Sequence, residues 1–137
     1  MSKCVYFDRT LFNSKAFKEL SGNATKVLMW FYYKRQMRRD GRKGKQKWVI
    51  VNNGDITFYY NEAQKKCGIS RQTFNRAIDE LVKKGFIDIA RPGMGLARQP
   101  TLYSISRRWH DYGTDEFQEV KRCKIVTHRP KKAKKKD

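Results

Sequence analysis

Two helical segments joined by a short turn constrain the fold of this chain more than any other feature. The first runs from Asn61 to Cys67, and the turn is Gly68-Ile69-Ser70. Ser70 is a favourable N-cap for the second helix, which is predicted from Arg71 to Lys84 and ended by Gly85. Apolar residues recur in it at the spacing of one helical face, so its underside is predicted to be buried. These residues are Phe74, Ala77, Ile78 and Leu81, with Val82 beside them.

Two β-strands are predicted to follow these helices. They cover residues 86–90 and 101–106, and the loop between them, 91–100, is rich in turn-forming residues. Alternation of apolar and polar side chains gives each strand one face toward the core. The residues on those faces are Ile87, Ile89, Tyr103 and Ile105. The order helix, turn, helix, strand, loop, strand predicts an α+β fold with a small antiparallel sheet.

An earlier helix is predicted from Ala24 to about Met37, and it carries two apolar stripes. The first consists of Ala24, Val27, Leu28 and Phe31, and the second of Met29, Trp30, Tyr33 and Met37. A helix that is apolar on two faces is either covered by the N-terminal segment or used in a dimer interface, and both alternatives stay open. In the N-terminal segment, residues 1–10 are expected to form a short strand or arm. A short helix with Ala16, Phe17 and Leu20 on its apolar face is capped by Asn13 or Ser14.

Residues 34–47 are dense in positive charge and contain Gly41 and Gly44, which predicts a cationic loop. Two β-rich runs follow, at 48–51 and 56–59. The residues between them, Asn52-Asn53-Gly54-Asp55, contain an Asn-Gly pair typical of tight turns. A β-hairpin that pairs these two runs with each other is therefore predicted.

Net charge narrows the range of partners. The chain has 137 residues, with 32 Lys and Arg against 13 Asp and Glu, which gives a formal charge of +19. Such a charge favours a polyanion: DNA, RNA or an anionic membrane surface. No apolar run approaches the roughly 18 residues of a membrane-spanning helix, and the start lacks the layout of a secretion signal, so we expect a cytoplasmic protein.

The composition divides the chain into one domain and one extension. Residues 1–110 are rich enough in apolar and aromatic residues for a core, whereas residues 111–137 end in a lysine-rich tail. That extension is expected to be partly disordered because it is too charged to pack.

The stretches Ala63 to Ile78 and Leu81 to Ile87 resemble the winged helix-turn-helix family. Bacterial regulators of the GntR, MarR and Lrp types, and some plasmid and phage replication initiators, have this pattern. The resemblance covers about half of the chain. It implies that the helix at 24–37 and the strand at 56–59 are the first helix and strand of that fold. One departure is Gln64, where many members have Ala.

The resemblance implies double-stranded DNA as the partner, with the helix at 71–84 in the major groove. Its outward residues are suited to base recognition, because Gln and Asn pair bidentately with adenine and Arg with guanine. The predicted base-reading residues are Arg71, Gln72, Thr73, Asn75 and Arg76. Regulators of this kind often bind as two-fold dimers, which makes a homodimer an expectation.

Three further groups are predicted to contact phosphates. Around the two helices they are Lys65, Lys66 and Ser70. On and after the wing loop at 91–100 they are Arg91, Arg98, Arg107 and Arg108. In the cationic loop they are Arg38, Arg39, Arg42, Lys43 and Lys45. A solvated surface loop is the alternative for the wing and for the cationic loop.

No pattern in the sequence predicts an enzyme. Cys4, Cys67 and Cys123 are far apart, and His110 and His128 do not complete a zinc-binding set, so neither a metal nor another cofactor is expected. No arrangement of a nucleophile with a general base is visible, and no small-molecule substrate is implied.

These observations support three functional hypotheses. The first is a sequence-specific, double-stranded DNA-binding transcriptional regulator, associated with the nucleoid. The second is a replication-initiation or maintenance factor of a plasmid, phage or other mobile genetic element, which would use the same DNA contacts. The third is a basic RNA- or ribosome-binding protein. A footprint over a promoter or over an origin separates the first two, and competition between duplex DNA and structured RNA separates both from the third.

Overall fold

The computed structural model describes residues 5–93 and 99–120 and has a small α+β fold, as the sequence predicts. Within these ranges there are five α-helices, two antiparallel sheets of two strands each and one 3₁₀ turn. The helices are α1 (Arg9–Asn13), α2 (Lys15–Lys18), α3 (Gly22–Lys34), α4 (Tyr60–Cys67) and α5 (Arg71–Lys84). The strands are β1 (Met37–Asp40), β2 (Lys47–Ile50), β3 (Ile87–Arg91) and β4 (Leu102–Ile105), and the 3₁₀ turn is Arg108–Asp111.

Residues 5–8 form neither helix nor strand and α1 begins at Arg9, so the strand alternative for residues 1–10 is wrong where the structure describes it. Asp8 caps α1 by accepting a hydrogen bond from the Thr10 amide. Ser14 caps α2, as predicted, by accepting one from the Phe17 amide at 3.2 Å. Residues that favour caps therefore outweigh the β propensity of this segment.

Helix α3 buries the first apolar stripe but not the second. Ala24, Val27, Leu28 and Phe31 are buried in the core, as predicted. Tyr33 of the second stripe is 61% exposed and Met29 is also exposed. The N-terminal segment packs beside Tyr32 instead, where the Phe7 ring lies 5.2 Å from the Tyr32 ring.

Helix α3 ends at Lys34, earlier than predicted, because the Asn52 side chain redirects the backbone. The amide of Gln36 donates to Asn52 Oδ1 at 2.8 Å, and Asn52 Nδ2 donates to the Lys34 carbonyl at 3.0 Å. These bonds satisfy backbone groups at the helix end, where the chain turns out into β1. Met37, expected on the second stripe, therefore lies in a strand.

The predicted pairing of 48–51 with 56–59 is wrong, and so is the prediction of a loop over residues 34–47. Strand β2 pairs with β1, with Met37 opposite Ile50 and Arg39 opposite Trp48. The cationic segment thus forms most of a hairpin, which we call the basic hairpin (residues 37–50). A β-rich run shows that a strand forms but not which partner it takes, and here the preceding segment supplies the partner.

Residues 52–55 form the predicted turn, because the Asp55 amide donates to the Asn52 carbonyl at 2.9 Å, but this turn connects the hairpin to the core instead of joining two paired strands. Asn53 Oδ1 accepts from the amide of Ile105 at 2.6 Å, which fastens the junction to β4. Ile56 then forms a bridge with Tyr103, whose amide donates to the Ile56 carbonyl at 2.8 Å. The run predicted as a strand at 56–59 therefore meets β4 at this bridge.

Helices α4 and α5 form the unit that the sequence predicts. Helix α4 begins at Tyr60, one residue before the expected Asn61, and ends at Gly68, whose φ is 67°. Helix α5 has the predicted bounds and ends at Gly85, whose φ is 87°. A side chain at Gly85 would also collide with the backbone of Trp109, at 2.6 Å from its amide nitrogen. This position therefore requires glycine for two reasons.

The core lies between α3, the underside of α5 and one face of the β3–β4 sheet. Strand β3 pairs antiparallel with β4, with Ile87 opposite Ile105 and Ile89 opposite Tyr103, which is the predicted arrangement of faces. The predicted underside of α5 is buried, and it consists of Phe74, Ala77, Ile78, Leu81 and Val82. None of the described helices is long and apolar enough to cross a membrane.

Candidate nucleic-acid interface

The outer side of α5 carries four exposed polar residues near the start of the helix. They are Arg71, Gln72, Asn75 and Arg76, which we call the α5 ridge. Because positions four apart lie one above the other on a helix, these residues form two adjacent rows. The buried underside of the same helix fixes the rotation of α5, so the ridge must face away from the core.

Three ridge residues keep their hydrogen-bonding groups available. Gln72, Asn75 and Arg76 form no hydrogen bond or ion pair with other residues in the described parts of the chain. Amide and guanidinium groups offer donor and acceptor pairs that match the edges of bases. The ridge can therefore bind a polar ligand without first breaking internal contacts.

Arg71 is held at the first turn of α5 by an aromatic ring. Its guanidinium carbon lies 4.9 Å from the centre of the Tyr60 ring. Such a cation–π contact is worth about 0.5–1 kcal/mol at an exposed site, enough to bias the side chain without immobilising it. The sequence identifies Arg71 but not this support, because the contact depends on how α4 meets α5.

Ser70 and Thr73 have a structural role at the start of α5. The Ser70 hydroxyl accepts a hydrogen bond from the Thr73 amide at 3.2 Å and donates one to Thr73 Oγ1 at 3.0 Å. Thr73 is half-buried, whereas the predicted base-reading residues beside it are exposed. These bonds orient both hydroxyls along the helix end.

The two lysines of α4 differ in their surroundings. Lys65 is exposed and unpaired among the described residues, as a phosphate contact requires. The ammonium of Lys66 lies 3.7 Å from a carboxylate oxygen of Glu62 and 4.8 Å from the centre of the Trp30 ring. Lys66 is thus directed toward α3, and its charge is partly neutralised.

Glu62 is a residue that the sequence analysis missed. Its carboxylate forms an ion pair with Lys34 at 2.5 Å and accepts from the amide of Tyr59 at 3.3 Å. Burial alone would raise the pKa of Glu62, but the hydrogen bonds from Lys34 and Tyr59 outweigh it, so the pKa is lowered. Glu62 joins α4 to the C-terminal end of α3. Two signals in the sequence mark Glu62: it is a carboxylate in the first turn of a helix, and it lies four residues before Lys66 on the same helix face.

The arginines that follow the ridge and are predicted to contact phosphates differ in their surroundings. Arg91 is exposed at the end of β3, and its guanidinium donates to the Pro100 carbonyl at 3.4 Å across the base of the wing loop. Arg98 lies outside the described residues. Arg107 is exposed, with its side chain 3.5 Å from the carboxylate of Asp8.

Arg108 does not have the free side chain that a phosphate contact needs. Its guanidinium donates five hydrogen bonds: two to Asp88 Oδ1, and one each to the carbonyls of Val82, Ile87 and Gln118. These contacts fasten the chain after β4 to the end of α5 and to β3. We therefore leave Arg108 out of the interface and assign it to stability. The sequence could not indicate this, because a surface arginine and a bridging arginine look the same in it.

The basic hairpin places its cations far from the core. Residues 37–48 are exposed without interruption. The predicted phosphate contacts among them are Arg38, Arg39, Arg42, Lys43 and Lys45, and Lys47 belongs to the same set. None of these six forms an ion pair with a carboxylate of residues 5–93 or 99–120, so their charge is not neutralised by this part of the chain.

In the described part of the chain, no three His, Cys, Asp or Glu side chains converge as metal ligands would. Comparison of the chain with protein-family models, with curated proteins and with solved structures gave no match. The functional interpretation therefore depends on the geometry of the ridge and of the basic hairpin.

Proposed function

We propose that this protein is a winged helix protein that binds double-stranded DNA in a sequence-specific manner. The observation that carries the proposal is the α5 ridge, whose unpaired amide and guanidinium groups stand on a helix with a fully buried underside. Other charged surfaces of the chain can attract a polyanion, but the ridge also presents hydrogen-bonding groups that can distinguish one base from another.

The dimensions of α5 suit the major groove. An α-helix with its side chains is about 10–12 Å across, and the major groove is about 12 Å wide. From Arg71 to Arg76 the ridge extends about 7.5 Å along the axis, at 1.5 Å per residue. That length spans about two base-pair steps. The ridge of one chain therefore reads a short half-site, and a longer site requires the wing, the basic hairpin or a second copy.

Exposed cations outside the ridge supply affinity that does not depend on sequence. Lys65 on α4, Arg91 at the end of β3 and Arg107 after β4 are exposed outside the ridge, so we assign them to phosphates and not to bases. Arg91 is bonded to the base of the wing loop, which orients it at the edge of the β3–β4 sheet.

A selection experiment tests the proposal. The full chain is incubated at moderate salt with a pool of random duplexes, and the bound sequences are determined after several rounds. We expect a short shared sequence for the unaltered protein and none for the Gln72→Ala/Arg76→Ala variant, which keeps weak non-specific binding. Enrichment of the same sequence by both proteins would contradict base reading by α5.

Lys83→Ala is the matched control. Lys83 is exposed on the same helix, two turns after Arg76, and its replacement removes the same charge. The selected sequence should be unchanged by this control, because a lysine at the other end of α5 lies beyond the ridge.

The biological role that we propose for this activity is transcriptional regulation. Mapping of bound sites in the source genome tests it, since a regulator occupies promoters. Occupancy confined to repeated sites at a replication origin would contradict regulation and would leave the DNA-binding proposal intact.

A further inference from the structure

The basic hairpin contributes almost nothing to the core. Its strands are exposed on both faces from Met37 to Trp48, and contact with the core begins at Ile50. An isolated two-stranded hairpin is marginally stable in water. The hairpin is fastened at its base by Asn52, and its exposed part is open to a binding partner.

The composition of the hairpin indicates a polyanion. Residues 37–50 contain six basic residues and one acid, Asp40, and none of the basic residues is paired with a carboxylate of the described chain. Like charges held this close repel one another, so a binding partner that supplies negative charge stabilises the arrangement. A protein surface of mixed charge would meet this requirement poorly, and a phosphate backbone meets it well.

Trp48 is an exposed aromatic side chain beside these cations, and phosphate contacts do not require one. The indole is 58% exposed, although burial of a tryptophan is strongly favourable. Arg39 lies directly across the hairpin from it, and the guanidinium carbon is 4.9 Å from the centre of the ring. The side chain is thus supported on the hairpin surface, with more than half of its area left for a ligand.

We propose that the basic hairpin binds an unpaired segment of a DNA strand, with a base stacked on Trp48 and the adjoining phosphates on the hairpin cations. The inference rests on the proposed DNA-binding function and adds a second ligand state to it. Bases inside a duplex are already stacked on their neighbours, so their faces are closed to Trp48. Unpaired bases offer an open face, and stacking on an aromatic ring tolerates any base. Trp48 therefore distinguishes unpaired from paired DNA without reading sequence.

The test measures affinity for labelled DNA strands by fluorescence anisotropy, with the full chain. The probe is an oligothymidine strand of about 12 nucleotides, within the length that single-strand sites cover. A second strand of equal length has abasic sites in place of the bases, so it keeps the phosphates and loses the stacking faces. Trp48→Ala should weaken binding to oligothymidine by about 5- to 100-fold and change binding to the abasic strand by less than about 2-fold.

Two further variants separate stacking from loss of hairpin structure. Trp48→Phe keeps an aromatic face and should restore most of the affinity for oligothymidine. Arg42→Ala/Lys43→Ala removes two charges at the hairpin turn and should weaken both strands equally, because phosphates are common to both. Equal weakening of both strands by Trp48→Ala would show that Trp48 only supports the hairpin, and no weakening of either would also overturn the proposal.

The experiment also distinguishes failure of this inference from failure of the proposed function. The Gln72→Ala/Arg76→Ala variant should bind oligothymidine as the unaltered protein does, because the ridge is not involved. Loss of strand binding in this variant would place the single-strand site on α5 and contradict the inference. An oligouridine strand serves as the RNA arm, and dependence on Trp48 for this strand alone would overturn the assignment to DNA.

Discussion

Helix α5 and the basic hairpin both expose cations and hydrogen-bonding groups, yet they are built in opposite ways. Helix α5 has a buried face, an N-cap and a C-cap, so the backbone beneath its ridge is fixed on all sides. The hairpin is held at its base and exposed along both strands. A rigid surface suits discrimination between bases, which requires positions accurate to a fraction of an ångström, and a less supported one suits phosphates and stacked bases, which tolerate variation.

The largest expected difference between the two regions is in stability. Phe74→Ala removes a ring that is buried beneath α5 and packs against the Phe58 ring at 5.2 Å. The cavity should lower the free energy of unfolding by about 3–5 kcal/mol. Trp48→Ala removes a larger side chain from the hairpin but should cost less than about 1 kcal/mol, since that ring is mostly exposed.

Urea unfolding followed by circular dichroism measures both changes. A similar loss of stability in the two variants would contradict the distinction between a supported helix and a peripheral hairpin. Phe74→Leu is the conservative control, because it retains most of the apolar volume.

The second prediction concerns Arg108, which lies outside both regions but supports α5. Arg108→Ala leaves the Asp88 carboxylate and several carbonyls without their donor, which should lower the free energy of unfolding by about 2 kcal/mol. The salt dependence of DNA binding, compared under conditions where the variant is folded, should stay unchanged. A decrease of about one in the slope of the logarithm of the binding constant against the logarithm of the salt concentration would show that Arg108 contacts a phosphate.

The sequence predicts α5 well and the hairpin poorly, for a physical reason. Phe74 and Ile78 reveal a buried face by spacing alone, and Ser70 and Gly85 mark the ends through local chemistry. The partner of Trp48 depends instead on a pairing between segments, and the β propensity of residues 48–51 is compatible with either neighbouring segment. The Asn52 side chain holds the end of α3 beside the start of β1, and nothing in the local sequence shows that this turn residue also makes that contact.

The same contrast applies to the candidate site. The buried stripe of α5 determines which face of the helix points away from the core, and Gln72 and Arg76 lie on that face. Arg108 and Lys66 have a charge that suggests phosphate, but Arg108 is paired with Asp88 of β3, and Lys66 is paired with Glu62 one turn earlier on α4. Charge alone therefore identifies candidates; the spacing of Glu62 and Lys66 on one helix face could have excluded Lys66, whereas the pairing of Arg108 depends on tertiary packing.

The third prediction tests whether the hairpin contributes to duplex binding without affecting site choice. Arg42→Ala/Lys43→Ala should lower the logarithmic salt slope by about 1–2, because up to two phosphate contacts are lost. The preferred sequence should stay the same. Lys18→Ala/Lys26→Ala is the control, since it removes the same charge from exposed positions on α2 and α3. An equal fall in slope for the control would mean that overall charge, and not the hairpin, determines affinity.

The fourth prediction concerns the cap that fixes the start of the ridge. Ser70→Ala removes the acceptor of the Thr73 amide and should lower the free energy of unfolding by about 1 kcal/mol. Ser70→Asp, which also caps helices, should restore stability but weaken DNA binding, since it adds a negative charge beside the ridge. Restoration of both stability and binding would place position 70 away from the DNA.

The smallest expected effect is the pH dependence that Glu62 gives to the joint between α3 and α4, beside the base of the hairpin. Its pKa in the folded chain is lowered from the ordinary value of 4.5. A carboxyl group with a lowered pKa contributes stability that is present above 4.5 and lost as the pH falls through the folded value.

The urea midpoint of the unaltered protein should thus decline more between about pH 5 and pH 3 than that of Glu62→Gln. Lys34→Met, which removes the main partner of Glu62, should flatten the same part of the curve. Parallel curves for the unaltered protein and Glu62→Gln would mean that the ion pair with Lys34 adds nothing to this joint, and that the helix end beneath the hairpin is held by Asn52.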